Sequence, residues 1–198
     1  DYVDEGATWT DAVDGSGDAQ ASGSVNVNVP GEYQITYTKE DAAGNAAQAV
    51  VRTITVVDGD APVITLLGDA NLTHEAGEPY VDAGAEWNDN VDGDGVADAN
   101  GSVDHLVPGV YRITYDYTDS SGNSAQEVIR AVNVVDTTPP VITLIGDASL
   151  THSASTDYVD EGATWTDAVD GSGDAQASGS VNVNVPGEYQ ITYTKEDA

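Results

Sequence analysis

Pro108-Gly109-Val110-Tyr111-Arg112-Ile113-Thr114-Tyr115-Asp116-Tyr117-Thr118-Asp119-Ser120-Ser121-Gly122-Asn123 is a strand set between two turns. Tyr111, Ile113, Tyr115 and Tyr117 alternate with Arg112, Thr114, Asp116 and Thr118. That period of two belongs to a half-buried strand and not to a helix. Pro108-Gly109 in front and Ser121-Gly122-Asn123 behind are turn formers.

The flanks continue the pattern. Pro62-Val63-Ile64-Thr65-Leu66-Leu67 reads as a strand opened by a proline. Val81, Ala83, Ala85 and Trp87 alternate with Asp82, Gly84, Glu86 and Asn88, and Val128, Arg130, Val132 and Val134 form a last strand. Asp92-Gly93-Asp94-Gly95 and Asn100-Gly101 add turns, and no stretch carries a helical stripe.

The whole pattern recurs. Trp9, Trp87 and Trp165 are 78 residues apart, as are Tyr2, Tyr80 and Tyr158. Residues 1–57 match 79–135 at 32 of 57 positions, and residues 1–42 are identical to 157–198, so two repeat types alternate with a 156-residue period. The expected organisation is a partial repeat at 1–57 without its first strand, a complete repeat at 58–135, and a partial repeat at 136–198 without its last strand. The 198 residues are expected to be a window onto a longer covalent array, with strand exchange between chains as the other way of completing the halves. About seven short strands around one Trp per repeat suit an all-β, two-sheet, immunoglobulin-like sandwich.

Composition narrows the function. There are 35 Asp and Glu against 5 Lys and Arg, a formal charge of -30, yet 39% of residues are hydrophobic, enough for a core. Such a surface repels nucleic acid and anionic membrane and attracts cations. With no Cys, disulfides and thiolate metal sites are excluded. No segment has the roughly 20 apolar residues of a membrane helix, so no membrane insertion is expected here. Any export signal is expected outside residues 1–198.

The segments DTTPPVITLIGDASLTH, YVDAGAEWNDNVDGDG, PGVYRITYDYTDSSGN and RAVNVVD closely resemble bacterial Ig-like repeats of large surface and adhesion proteins. The hyalin-type repeat is similar too, sharing the YTDSSGN pattern. The resemblance covers the whole chain. It implies an extracellular stalk or adhesion module, often calcium-stabilised, without catalytic residues. One departure is that Lys39 and Ser16 stand in the other repeat type where Tyr117 and Asp94 stand in this one.

In such a sandwich the incoming linker, the loop after the Trp strand and the loop before the last strand share one pole. For the complete repeat these bring Asp58 and Asp60, then Asp89, Asp92 and Asp94, then Asp119 and Asn123. Their equivalents are Asp11, Asp14, Asp41 and Asn45 in the first repeat, and Asp136, Asp167, Asp170 and Asp197 in the third. One Asp-Gly loop is read as a turn. Several acidic loops at one pole repel each other unless a cation joins them, and Ca2+, which takes six to eight oxygens in flexible geometry, is the expected ion ahead of Mg2+. Single His residues and the lack of thiolates argue against zinc or copper.

His74, His105 and His152 form no recognisable triad and read as loop or strand-edge residues. The three Trp are in phase with inward residues and read as core. The equivalent of Lys39 in the other repeat type is Tyr117, which excludes a Lys–Asn crosslink in every domain, and the sequons at Asn71 and Asn100 read as chance. The expected function is a structural array forming a secreted or cell-surface stalk or fibre shaft. Its partners are neighbouring repeats end to end, or further copies of the chain in a filament. The alternative is an adhesin module recognising glycan or protein. An enzyme with an active site in every uniform repeat is not expected.

Overall fold

A computed structural model describes residues 2–198. All the regular structure among them is β, and no described helix is long and apolar enough to cross a membrane. The first repeat supplies β1 (Thr8–Asp11), β2 (Gly15–Asp18), β3 (Gln20–Ser22), β4 (Gly31–Thr38) and β5 (Val50–Val56). Between residues 58 and 135 lie β6 (Val63–Leu66), β7 (Asn71–Glu75), β8 (Ala85–Asp89), β9 (Gly93–Val96), β10 (Asp98–Asn100), β11 (Gly109–Asp116) and β12 (Val128–Val135). The third repeat supplies β13 (Val141–Leu144), β14 (Ala163–Asp167), β15 (Gly171–Asp174), β16 (Gln176–Ser178) and β17 (Thr192–Thr194).

The described residues gather into two compact units. One takes the residues up to Thr65 with Ala85–Asp98 and Asp116–Val128; the other takes Leu66–Gly84, Ala99–Tyr115 and Ile129–Ala198. The first contains the sheets β1-β2, β3-β4-β5 and β6-β8-β9. There β4 and β5 form a long antiparallel hairpin from Gly31↔Val56 to Tyr37↔Val50, with Ile35 and Tyr37 buried. Trp87 on β8 lies opposite Gly95 on β9, and its indole N–H donates to the Val96 carbonyl at 3.1 Å. Glycine is required there, because a Cβ on Gly95 would lie 2.7 Å from the indole ring. Trp9 faces Gly17 in the same register. Tyr117 stacks on Trp87, with ring centroids 3.9 Å apart and planes at 7°.

The second unit contains β10-β11-β12-β7, β13-β14-β15 and β16-β17. Strand β7 runs parallel to β12, pairing Leu72 with Val132 and Glu75 with Val135. Ala76, Val132 and Val134 form a buried cluster, with Leu72, Tyr80, Val103 and Tyr111 packed on it. The Tyr111 hydroxyl donates to the Val107 carbonyl at 2.9 Å, a contact repeated by Tyr33 with Val29 and Tyr189 with Val185. A Tyr tied back to the backbone a few residues upstream is the tyrosine corner of immunoglobulin-type sandwiches.

Most of the expected alternation holds: Ile113, Tyr115, Val132 and Val134 are buried. The Trp strand is a correction. It starts at Ala85, and Val81 is 86% exposed, so the inward phase does not extend back to Val81 and Ala83. Gly84 has φ of 83°, a left-handed turn that shifts the phase by one residue. Asp82 turns inward instead and meets Arg130, which is 1% exposed. Trp87 is buried as expected, whereas Trp9 and Trp165 are half-buried.

Candidate metal centre

Asp89 ends β8 and Asp119 follows the β11 strand; both are buried, while Asp58 on the linker is half-buried. One carboxylate oxygen from each lies within 4.8 Å of the others. Local turns hold the three side chains in place. Asp89 Oδ1 accepts the N–H groups of Val91 and Asp92 at 2.7 and 2.8 Å. Asp119 Oδ1 accepts those of Ser121 and Asn123 at 3.0 and 2.7 Å, and its Oδ2 accepts the Asn123 side-chain amide at 2.9 Å. Burial opposes ionisation of Asp119, but the Asn123 side chain and the N–H groups of Asn123, Ser121 and Gly122 outweigh it and hold the carboxyl below its ordinary value. The remaining oxygens of the other two residues, Asp58 Oδ2 and Asp89 Oδ2, are buried without a hydrogen-bond partner. An ionised oxygen in that state is costly unless a cation meets it.

The other expected ligands of this repeat lie elsewhere. Asp92 receives the backbone N–H and hydroxyl of Ser120 at 2.6 and 2.8 Å. Asp60 receives the Asn90 amide at 3.0 Å, and Asp94 is exposed on β9 opposite Asn88. Asn123 braces the cluster: its amide also donates to the Asp58 carbonyl at 3.3 Å.

Asp136, Asp167 and Asp197 form a second cluster with the same reach. They occupy the positions of Asp58, Asp89 and Asp119 one repeat later. The N–H groups of Asp170 and Val169 draw Asp167 below its ordinary value. Desolvation, then the Asp136, Asp167 and Asp170 carboxylates, push Asp197 up, with Lys195 pulling the other way. Asp170 pairs with Lys195 at 3.1 Å, and the Lys195 ammonium lies 4.6 Å from the Trp165 ring centre. In the first repeat Asp41 is held low by Asn45, Asp11 by the N–H groups of Asp14 and Val13, and Asp14 accepts the Ala42 N–H at 2.7 Å. Lys39 lies over Trp9 at 4.7 Å, matching Lys195.

Sequence reasoning missed one constellation. Arg130 Nη1 reaches Asp82 Oδ1 and, at 2.9 Å, the Tyr115 hydroxyl, which itself donates to Asp82 Oδ2 at 2.5 Å. The recurrence of Asp4, Asp82 and Asp160, of Tyr37, Tyr115 and Tyr193, and of Arg52 and Arg130 was the available signal. Arg52 pairs with Asp4 at 2.5 Å in the first repeat.

Comparison with known proteins agrees with the Ig-like fold. The family model of the bacterial surface protein Ig-like domain matches three times, over residues 1–56, 64–134 and 142–198. The chain belongs to this family. An array of such surface Ig-like domains belongs at the cell surface or in the extracellular space, with a structural or adhesive role. Hyalin of Strongylocentrotus purpuratus is 32% identical over 173 residues, 78% of this chain and 14% of that protein. Hyalin of Lytechinus variegatus is 32% identical over 126 residues, 59% and 23% respectively, so the Ig-like array spans under a quarter of either relative. A solved lipoprotein of Bacteroides thetaiotaomicron is 25% identical over 42% of this chain and 45% of its own, with a TM-score of 0.34.

Proposed function

We propose that the chain is a stretch of an extracellular shaft of Ig-like repeats, stiffened by calcium and without a catalytic role. The observation that carries this reading is the pair of buried, unpartnered oxygens, Asp58 Oδ2 and Asp89 Oδ2, beside Asp119. The donors are all oxygen and the site joins a linker residue to two loops of one repeat, which suits a hard cation of flexible coordination. Asp58, Asp89 and Asp119 would hold one ion and Asp136, Asp167 and Asp197 a second. When bound, the ion would supply positive charge that removes carboxylate repulsion and ties each linker to the repeat it leads.

Binding to the folded state alone adds about 2.7 kcal/mol per site when free calcium is a hundred times Kd. For a domain of this size that raises the melting midpoint by roughly 10–20 °C. Calorimetric melting in EDTA and in millimolar calcium tests the reading. Asp89→Asn should abolish the shift of the middle repeat, and Asp92→Asn, whose oxygens Ser120 already engages, should keep it. Midpoints that calcium leaves unchanged in the unsubstituted chain would end the calcium assignment.

A further inference from the structure

The second unit contains a contact between consecutive repeats that needs no cation. Strand β7 ends at Glu75, whose carboxylate accepts the Thr137 N–H at 2.9 Å and the Thr137 and Thr138 hydroxyls at 2.7 Å each. Three hydrogen bonds thus bind the linker that leaves the middle repeat to the body of that repeat. The next two residues continue the surface. Ala76 belongs to the buried cluster with Val132 and Val134, and Val169 of the following repeat packs against it. Gly77 has φ of 84°, and a Cβ built there would lie 2.6 Å from the Cβ of Ala168. The Ala168-Val169 loop is itself shaped by Asp167, which accepts the Val169 and Asp170 N–H groups at 2.7 and 2.8 Å.

The sister repeat keeps Ala76 and Val169 as Ala154 and Val91 but differs at the other contacting positions, and in a correlated way. Ser153 stands at the place of Glu75 and Ser155 at that of Gly77. Ser155 keeps the same turn: its φ is 63°, and its N–H donates to Val183 O at 2.8 Å as that of Gly77 does to His105 O. Gly59-Asp60 stands at the place of Thr137-Thr138, and Asn90 at that of Ala168. Residues 1–42, identical to 157–198, run on into Gly59 and Asp60. The repeat type that carries the two serines is therefore the type that precedes the Gly59-Asp60 linker.

We propose that residues 75–77 form a docking socket for the following repeat, keyed to the sister type. Glu75 accepts a Thr137-Thr138 linker. A Gly59-Asp60 linker would bring no hydroxyl and would set a carboxylate against the one already there, a like-charge contact. Gly77 clears a Cβ at position 168, and Asn there would add three heavy atoms to a side chain already this close. The alternation of two repeat types is, on this reading, written into the junctions: each repeat selects its successor by complementarity and by repulsion of its own kind. The socket does not depend on the calcium assignment.

The chain has no Cys, so nitroxides at Ser102→Cys and Ser180→Cys, both exposed, would be the only labels in the 198-residue protein. Pulsed dipolar spectroscopy in EDTA then reads the junction without cation. The expected result is one narrow distance distribution. It should broaden at least twofold in Thr137→Gly/Thr138→Asp/Ala168→Asn, which installs the wrong key. Glu75→Ser should broaden it as well, without touching the third repeat. Thr137→Ser/Thr138→Ser, which keeps both hydroxyls, should leave it narrow. Distributions as narrow in Glu75→Ser and the triple variant as in the parent would overturn the socket. So would a parent distribution that is broad in EDTA and narrows only with calcium, which would assign junction order to the ion instead.

Discussion

Replacing Arg130 by Met should destabilise the middle repeat far more than any surface substitution. Arg130 sits on β12 in the phase of Val132 and Val134, 1% exposed, with every donor engaged. Besides Asp82 and Tyr115, its Nη2 serves the carbonyls of Leu67 and, at 3.2 Å, Gly84, and its Nε serves Asp69 at 3.1 Å. Methionine fills much of the volume but leaves Asp82 without a counter-charge and takes the guanidinium donors from the Leu67 and Asp69 carbonyls, while the Gly84 carbonyl keeps the Leu67 N–H at 3.0 Å. Breaking a buried pair on one side costs about 3–5 kcal/mol. The Asp82 side chain is 23% exposed, so water screens part of the loss and the lower end, about 3 kcal/mol, applies. A repeat of this length has roughly 4–12 kcal/mol in total, and a loss of that size lowers the midpoint by roughly 12–24 °C. Arg130→Lys should recover little, since an ammonium cannot span the fork of acceptors. Arg52→Met should cost less, because Arg52 is 36% exposed. Differential scanning calorimetry on the 198-residue chain resolves the comparison. An Arg130→Met midpoint within a few degrees of the parent would show that the network is not what holds β12 to the Leu67–Gly84 segment.

Acid should unfold the array in EDTA. Asp82 is desolvated, but hydrogen bonds from Tyr115, Arg130 and Tyr80 hold it below its ordinary value, and the Thr137 and Thr138 groups do the same for Glu75. Folded pKa values below the unfolded ones mean stability that is complete above about pH 4–5 and lost as pH falls through the folded values; midpoints that rise on acidification from pH 5 to 2 would contradict this. Lys195→Gln removes the ammonium beside Asp170 and should tighten calcium binding at Asp136, Asp167 and Asp197 in calorimetric titration, whereas weaker binding would show that the lysine supports that pole. Gly95→Ala presses a methyl onto the Trp87 ring, 2.7 Å away and stacked with Tyr117, and should cost about 1–3 kcal/mol in urea unfolding; an unchanged urea midpoint would mean that the ring moves freely.

The fold was legible because alternation and turn chemistry agree along the chain. Tyr111 to Tyr117 alternate between a Pro-Gly and a Ser-Gly-Asn turn, and the 78-residue period brings the Pro-Gly turn and the alternating Tyr, Ile and Tyr three times. It broke down at Gly84. A left-handed glycine inside an alternating run changes which residues face inward, and the sequence pattern of Val81 to Trp87 gives no sign of the change. Arg130 illustrates a different limit. Its phase placed it among inward valines, but pattern reading assigns charge to the surface, and only the partners Asp82 and Tyr115 make its burial tolerable. Those partners recur in register with it, so recurrence inside one chain held information that single-segment periodicity did not.

The acidic pole was legible as a place and not as a particular set of converging carboxylates, for a reason that applies to any Asp-rich loop. Loop connectivity determines which carboxylates reach one end of a sandwich. Which oxygens remain free depends on nearby N–H and O–H groups, and these are matters of a few tenths of an ångström. Asp92 and Asp89 lie in one loop three residues apart, yet Ser120 takes both oxygens of Asp92 while Asp89 Oδ2 is left with none. An Asp at the start of a turn spends one oxygen on the turn and can offer the other inward. An Asp within reach of the next loop is consumed in joining the two. Asp89 is of the first kind, whereas Asp119 spends Oδ1 on its turn and receives the Asn123 amide at Oδ2; their equivalents Asp167 and Asp197 stand in the second cluster. The turn that makes a single Asp look merely structural is thus what aims the second oxygen of Asp89 at the pole, so turn formation and the cation binding we propose would be two uses of one side chain.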